Sequence, residues 1–206
     1  DGKTTRITEG DWNVSGYELS ADGKRIAMQR TTSPLLEFID RTEVWVMDAN
    51  GSNAKQLTTN KVPDGGASLS PDGSTVLFTS GSNEAGEIYY NDKLFLVPAA
   101  GGAPAKILLP NVDYGIENAQ WSKDGKTIFY TANMGTHNEV MRVDVATREA
   151  AQLTRGDHSI GNWNFAEGSG LHVFTLNSAD RPSEIYTMAP GQSPRRVTSV
   201  FDEDLA

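Results

Sequence analysis

A short turn motif, Ser-x-Asp-Gly, recurs along the chain at an almost constant interval. It occupies residues 20–23, 70–73 and 122–125, so the Asp-Gly pairs lie 50 and 52 residues apart, and a degenerate fourth copy lies at 166–170. Glycine adopts a positive φ without steric cost, and Asp hydrogen-bonds to the backbone of its own turn. Each copy therefore predicts a β-hairpin turn within a repeated structural unit.

Each turn is followed by strand-like runs in the same order. One run follows the turn directly, and two more complete the unit at 43–48 and 55–58, 93–97 and 105–108, 139–144 and 151–154, and 184–188 and 195–198. The runs are short, rich in β-branched and aromatic residues, and without helical periodicity. Several are apolar at consecutive positions, which requires a covering layer on both faces. This pattern predicts an all-β chain, a β-propeller of four-stranded antiparallel blades with about four blades present.

The alternative is an ordinary β-sandwich in which the Asp-Gly hairpins coincide by chance. Three nearly identical turns, each in register with two further matching runs, favour the propeller.

The repeats set expected blade boundaries of about 11–59, 61–109, 112–155 and 157–199, with 200–206 as a linker. Residues 1–8 resemble the end of a unit, so 5–8 are predicted to be the closing strand of a missing blade. Four blades and one surplus strand suggest an incomplete ring. An open arc would expose an apolar blade face at each end, which favours part of a larger propeller or an assembly that covers those faces.

Composition excludes several classes of function. The formal net charge is −9 and there is no run rich in Lys or Arg, so nucleic acid is not expected as a partner. No apolar stretch approaches the roughly 18 residues of a membrane span. The chain has no Cys, which excludes disulfides, zinc knuckles and Cys nucleophiles. The compartment stays open between the bacterial periplasm and the cytoplasm.

The repeats resemble two related groups of propellers. The Ser-Pro-Asp-Gly turn at 70–73, the stretch Val-Trp-Val-Met-Asp-Ala-Asn-Gly at 44–51 and the closing Gln-Leu-Thr at 56–58 and 152–154 carry the resemblance. One group is the periplasmic TolB-type propeller. The other is the N-terminal propeller, with WD-like repeats, of the prolyl oligopeptidase family of serine peptidases, in its dipeptidyl aminopeptidase and acylaminoacyl peptidase branches.

The last blade resembles the peptidase group more closely. Residues 178–186 and 194–198 match the Ser-containing loop, the Pro, the Glu-Ile-Tyr strand and the closing strand that precede the α/β-hydrolase domain of those enzymes. Two departures weaken the match. Val197 stands where Leu is usual, and the segment 201–205 stands where a junction containing Asn is common.

The resemblance to the peptidases implies a non-catalytic propeller that gates substrate access to a hydrolase domain absent from this chain. The implied partners are that α/β-hydrolase domain or another propeller segment, with short peptides as possible ligands. The enzyme class of the parent would then be a serine peptidase. The alternative is a TolB-like periplasmic protein-binding propeller, and a glycan-binding or lyase-type propeller ranks last because the His residues do not cluster in the sequence.

No catalytic residue, metal ligand or cofactor is predicted in the chain, and binding residues are left unassigned. A nucleophile elbow needs Gly-x-Ser-x-Gly, and Ser159 comes nearest, with Gly161 after it but Asp157 before it. The family's paired-Glu motif, which holds a peptide amino terminus, has no counterpart here because no Glu-Glu pair occurs. The three His residues lack metal-ligand spacing and are expected to be structural: His137, His158 and His172.

Aromatic and loop residues leave two further hypotheses. Trp12, Trp45, Trp121 and Trp163 could form a ligand platform, but most are expected in the core. The longest loops are expected at 31–41 and 81–91, between the second and third strands of blades 1 and 2. The first contains Leu35, Leu36, Phe38 and Ile39, which either contact a partner domain or pack within the loop.

Overall fold

The computed structural model describes residues 2–38, 40–59, 62–83, 85 and 87–200. Within these residues, sixteen strands form four antiparallel sheets of four strands each. In every sheet the strands are neighbours in chain order, which is the meander of a propeller blade. The chain divides into two compact units, 1–112 and 113–206, each of which contains two sheets. The all-β prediction of about four propeller blades is therefore confirmed.

The first unit contains blades 1 and 2. Blade 1 consists of β1 (Val14–Leu19), β2 (Arg25–Arg30), β3 (Glu43–Asp48) and β4 (Lys55–Gln56), and blade 2 of β5 (Asp64–Leu69), β6 (Thr75–Ser82), β7 (Ile88–Pro98) and β8 (Lys106–Ile107). The second unit contains blades 3 and 4. Blade 3 consists of β9 (Gly115–Trp121), β10 (Thr127–Asn133), β11 (Asn138–Asp144) and β12 (Ala150–Gln152), and blade 4 of β13 (His158–Ala166), β14 (Leu171–Ser178), β15 (Arg181–Met188) and β16 (Arg195–Arg196).

The Ser-x-Asp-Gly motif forms the predicted hairpin turn through its own side chains. The Ser70 hydroxyl donates to Asp72 Oδ1 at 2.6 Å, the Ser74 amide donates to the same oxygen at 3.0 Å, and the Thr75 amide donates to Ser70 Oγ at 3.0 Å. Gly73 adopts φ +71°, which only glycine accepts cheaply. Donation by Ser70, followed by the Ser74 groups, lowers the pKa of Asp72 to about 2. The turns at 20–25 and 122–127 form the same bonds.

The Thr of the closing run ties the outermost strand to the start of the third strand. In blade 3, Thr154 Oγ1 accepts from the Val140 amide at 2.9 Å and donates to Glu139 Oε2 at 2.5 Å. Thr198 forms the same pair of bonds in blade 4. In blade 1, Thr58 caps the third strand but donates to a carboxylate of the following strand, Asp64, at 2.6 Å. The recurrence of Leu-Thr in the repeat thus has a hydrogen-bonding cause.

Blade 2 departs from this arrangement at both positions. Leu109 stands where the other blades have Thr, and Lys93 stands where they have Glu. With the hydroxyl missing, Lys93 Nζ donates instead to the carbonyl oxygen of Val112 at 2.5 Å. The two substitutions therefore replace one buried polar arrangement by another that is also hydrogen-bonded.

Each unit has an apolar core between its two blades. In the first unit this core joins Ala27, Val44 and Val46 of blade 1 to apolar residues of blade 2 that include Val76 and Phe78. In the second unit it joins Val140 of blade 3 to Ile160, Trp163, Phe165, Phe174 and Met188 of blade 4, with Phe129 packed against them. Alternate residues of the strands, such as Val44 and Val46 or Val76 and Phe78, thus face the other blade of the unit.

Each of the four sheets lies within one of the blade ranges expected from the repeats. Residues 5–8 form no strand, and because a closing strand needs a blade that this chain does not carry, that assignment stays a prediction. The linker 200–206 lies outside the described residues except for Val200. Much of the expected loop at 81–91 instead extends β6 and β7, in which Ser82 pairs with Ile88.

Candidate functional site

A groove opens in the second unit between blades 3 and 4. It is lined by 152–155 at the outer strand of blade 3, by 188–194 in the β15–β16 connection, and by side chains of β10, β11, β13 and β14. Its volume is about 820 Å³, within the range of roughly 300–1,000 Å³ that is usual for small-molecule sites. The groove is therefore large enough to hold a short peptide or a molecule of similar size.

The inner wall of the groove is built around His172. Trp163 Nε1 donates to His172 Nδ1 at 3.1 Å, and the rings of Phe129 and Phe165 each lie 4.9 Å from the imidazole. Burial lowers the pKa of His172 to about 4, so the ring is neutral at pH 7. Because Nδ1 accepts a hydrogen bond, the neutral ring carries its proton on Nε2. The expectation that His172 is a hydrogen-bonded structural residue agrees with this contact.

The outer part of the groove is positively charged. Arg142 and Arg155 line it, and none of the described lining residues is Asp or Glu, although the chain has 27 acidic residues. Neither guanidinium forms an ion pair or hydrogen bond with a described residue. Arg142 acts electrostatically on Asp144, whose pKa is lowered chiefly by the hydrogen bond from the Thr147 amide and in smaller part by Arg142. The groove thus offers two cations to an incoming ligand.

The corresponding place in the first unit is filled. Arg25 Nη1 donates to the carbonyl oxygen of Gly73 at 2.9 Å, and Arg25 Nη2 to that of Ala99 at 3.4 Å. Lys55 Nζ donates to the carbonyl oxygen of Ala100. Gly101 has φ +67°, and a Cβ there would lie 2.7 Å from Lys55 Cε, so the lysine lies directly on this turn. Two long side chains of blade 1 thus close the edge against blade 2.

Strand register explains why the second unit stays open. Arg25 pairs with Asp48 in blade 1, and Thr127 pairs with Asp144 at the same place in blade 3. Lys55 pairs with Val46, and Ala151 pairs with Arg142 at the same place. Thr127 and Ala151 are too short to reach the neighbouring blade as Arg25 and Lys55 do. Two short side chains therefore stand in the second unit at the positions whose long side chains close the edge of the first.

A second polar cluster in this unit contains the other two His residues. His158 Nε2 lies 3.2 Å from Glu139 Oε2, which also accepts from Thr154, and His137 Nδ1 lies 3.3 Å from the carbonyl oxygen of His158. The contacts of His158 with Glu139 and with His137 join blade 3 to the first strand of blade 4, while the Thr154 bond lies within blade 3. Sequence reasoning did not bring His158 and Glu139 together, although the recurring Glu and Thr positions of the repeat were a usable signal.

The Trp residues do not form a common platform among themselves. Trp121 and Trp163 are buried in the first strands of blades 3 and 4, as expected for core residues. In the first unit, Trp12 and Trp45 hold the Arg30 guanidinium between them, at 4.2 and 3.4 Å from the ring centroids. These rings pack against Ile26, Met28 and Met47 on the face of blade 1 that does not contact blade 2.

The apolar loop of blade 1 is partly exposed. Leu35 and Leu36 are 58% and 80% exposed, while Phe38 is half-buried beneath Arg41, whose guanidinium lies 5.2 Å from the ring. Ile39 lies outside the described residues. The two leucines are therefore available for contact with another surface, whereas Phe38 packs within the loop.

No group of three or more His, Asp or Glu residues in the described ranges is arranged to hold a metal ion. No helix in that part of the chain is long and apolar enough to cross a membrane.

The four-stranded meanders, the side-chain-bonded Asp-Gly turns and the apolar core between the two sheets of each unit define the class of the protein: it consists of β-propeller blades. Residues 18–199 match the family described as the TolB beta propeller domain. The match covers most of the chain, and the chain belongs to this family.

Similar proteins include both TolB propellers and peptidases, the two groups that the repeats resemble. Dipeptidyl-peptidase 5 of Porphyromonas gingivalis is 20% identical over 182 residues, which are 86% of this chain and 26% of that protein. The TolB structure from Acinetobacter baumannii aligns with a TM-score of 0.62 and 21% identity over 89% of this chain and 42% of its own. A puromycin-hydrolysing peptidase from Mycobacterium tuberculosis aligns with a TM-score of 0.74 and 13% identity over 93% of this chain and 29% of its own.

The chain spans about a quarter of the length of the curated relatives it matches. The structural alignments show a shared fold. The predicted resemblance to TolB and to peptidase propellers is thereby confirmed.

Sequence reasoning assigned no binding residues and missed the groove. A position-by-position comparison of the repeats would have given a signal, because Arg25 and Lys55 in blade 1 become Thr127 and Ala151 in blade 3. That signal becomes interpretable only when the register shows that these positions face the next blade.

Proposed function

We propose that this chain is the non-catalytic propeller portion of a serine peptidase of the prolyl oligopeptidase family and that it gates access to a hydrolase domain outside the chain. The observation that carries the proposal is the match to dipeptidyl-peptidase 5 over 86% of the chain. The last blade adds support through its Ser178 loop and its Glu-Ile-Tyr strand at 184–186. A propeller in this role supplies a rigid cover and excludes large substrates by size.

The parent open reading frame tests the first half of the proposal. We expect an α/β-hydrolase domain after residue 206, with its nucleophile in a Gly-x-Ser-x-Gly turn. The purified 206-residue chain should then hydrolyse no dipeptidyl substrate, while the parent protein should do so and be inhibited by a serine-reactive reagent. A parent without a hydrolase domain, or turnover by this chain alone, would overturn the proposal.

The exposed apolar loop of blade 1 gives a test of the gating role. Leu35 and Leu36 project from the end of blade 1 opposite the Lys55 edge, and contact with a partner domain would cover them. In the parent enzyme, the double variant Leu35→Asp/Leu36→Asp should lower kcat/KM for short peptides or admit larger substrates. Ala103→Asp, on an exposed turn at the opposite end of the strands, is the matched control. Unchanged rates and unchanged size selection would remove the loop from the gate.

A TolB-like protein-binding role is the second candidate, favoured by the family match over residues 18–199. A parent that ends shortly after blade 4 or continues into further blades only, together with a stable complex with an envelope protein, would support this role.

A further inference from the structure

The groove between blades 3 and 4 combines features that the rest of the second unit does not share. Its two arginines are exposed and have no carboxylate partner among the described residues, in a chain with a formal net charge of −9. Because the described lining residues include two cations and no carboxylate, the groove attracts anions although the protein as a whole is acidic. Guanidinium groups bind carboxylates through two parallel hydrogen bonds, so a carboxylate fits these side chains.

An apolar wall lies beside the arginines, since Phe129 of β10 pairs with Arg142 of β11. Phe129 and Phe165 form its inner part with the neutral His172, and Met188, Pro190 and Pro194 continue it along the β15–β16 connection. An anion without an apolar body, such as a free inorganic ion, would leave this wall uncovered. The fitting ligand therefore carries an aromatic or aliphatic group next to its carboxylate.

Backbone and amide groups at the margin fit a peptide better than a fatty acid. β12 pairs only with β11, so its other edge has unpaired backbone donors and acceptors within the described part of the chain. Gln152 and Gln192 line the groove and make no side-chain hydrogen bond to a described residue. An extended peptide can pair with such an edge and with such amides.

We propose that this groove binds the carboxyl-terminal end of a short peptide, with the terminal carboxylate at Arg142 and Arg155 and an apolar last side chain against Phe129, Phe165 and His172. The comparison with the first unit supports a binding role for the groove, because the corresponding edge of blades 1 and 2 is closed. There Arg25 and Lys55 use their charges on backbone carbonyls, whereas Arg142 and Arg155 have no such partner. The inference does not depend on the proposed function, because the groove lies wholly within this chain.

The test uses the 206-residue chain and a pair of tripeptides that differ only in charge. The probes are alanyl-alanyl-phenylalanine with a free carboxylate and the same peptide as its carboxamide, titrated by calorimetry and by NMR. The free acid should bind and shift the indole N–H resonance of Trp163, which contacts His172. The carboxamide should bind at least about ten-fold more weakly, because it cannot form the charged hydrogen bonds.

Charge-removing variants locate the site. Arg142→Gln and Arg155→Gln should each weaken binding of the free acid by about five-fold or more and leave binding of the carboxamide unchanged. Both side chains are exposed and unpaired, so the variants should fold. Arg181→Gln is the matched control, because Arg181 lies at the β14–β15 turn, at the other end of the strand from His172.

Three results would overturn the inference. One is equal affinity for the acid and the carboxamide, which would indicate apolar binding alone. Another is a loss of affinity with Arg181→Gln as large as with the groove variants, which would indicate nonspecific attraction. The third is the absence of binding tighter than about 10 mM, which is too weak for a specific contact of this kind. A failure of this test leaves the proposed peptidase role intact, because that role depends on the parent reading frame.

Discussion

At three equivalent positions, the core between blades 1 and 2 has small apolar side chains, while blades 3 and 4 have two aromatic rings and an imidazole. Strand pairing places Ala27, Ala67 and Val76 of the first unit at the positions that Phe129, Trp163 and His172 occupy in the second. The first set belongs to a core whose edge is closed by Arg25 and Lys55. In the second set, Phe129 and His172 line an open groove, and Trp163 donates a hydrogen bond to His172.

The difference shows that one blade topology tolerates two kinds of interface. The backbone requirements are met by Asp-Gly turns in blades 1, 2 and 3 and by a closing Thr in blades 1, 3 and 4, so both units use the same devices. The side chains between the blades can then vary in size and polarity, provided that each buried polar group has a partner. His172 satisfies this condition through Trp163, and Lys93 satisfies it through Val112.

Truncation of the paired core phenylalanines should have the largest effect. Phe78 and Phe174 occupy equivalent positions, are 0% and 1% exposed, and stack on Phe95 and Tyr186, respectively. Phe78→Ala should lower the free energy of unfolding by about 3–5 kcal/mol, measured by denaturant titration. Phe174→Ala should cost a similar amount because its surroundings are equally buried. A cost below about 1.5 kcal/mol for either variant would mean that its interface is loosely packed.

Acid should weaken the second interface through His172, because Val76 at the equivalent position of the first unit cannot take up a proton. The pKa of His172, about 4 in the folded chain, lies below its ordinary value of 6.5. The unfolded chain therefore takes up a proton between pH 6.5 and pH 4 that the folded chain does not, and stability falls over this range by about 2–3 kcal/mol.

Denaturant titrations at pH 7 and at pH 4 measure this loss. His172→Val, which places the residue of the first unit in the second, should remove this part of the pH dependence. The Asp-Gly turns do not interfere, because the Asp72 carboxylate, with a pKa of about 2, loses its contribution only at still lower pH. Identical pH profiles for the two proteins would contradict the assignment.

The hydrogen bond between Trp163 and His172 should show as a coupling between the two residues. His172→Val leaves the buried indole N–H without an acceptor, at a cost of about 2 kcal/mol at pH 7. The double variant His172→Val/Trp163→Phe removes the donor as well and should be more stable than the sum of the two single losses predicts. Strictly additive losses would show that the bond contributes nothing.

Exchange of the edge side chains should have the smallest effect on stability and the clearest effect on shape. Lys55→Ala should cost about 0.5–1 kcal/mol, because it removes one exposed hydrogen bond to a backbone carbonyl and the packing of the lysine stem. A crystal structure of the double variant Arg25→Thr/Lys55→Ala should show a groove between blades 1 and 2. If that edge stays closed, the two truncations do not explain the opening in the second unit.

Much of the fold follows from the sequence because its signals are local. Gly23, Gly73 and Gly125 need positive φ within a few residues of a Ser and an Asp that bond to the same turn, so each hairpin is specified by adjacent residues. The strand runs are equally local, since β-branched and aromatic residues at both faces require a covered strand. Chain-order pairing then gives the blades. The extension of β6 and β7 was missed because the Gly- and Asn-containing segment before Ile88 has the composition of a loop.

The groove was decided by tertiary structure. Arg142, Arg155 and His172 carry no motif, and they line one groove only because blade 3 packs against blade 4, where β11 contacts β13. The length of a side chain at a blade edge matters only when a carbonyl of the next blade lies within its reach. Lys55 reaches the carbonyl oxygen of Ala100, whereas Ala151 at the equivalent position is too short to form such a bond. Local chemistry thus specified the repeated blade, and the open groove arose from long-range packing between blades.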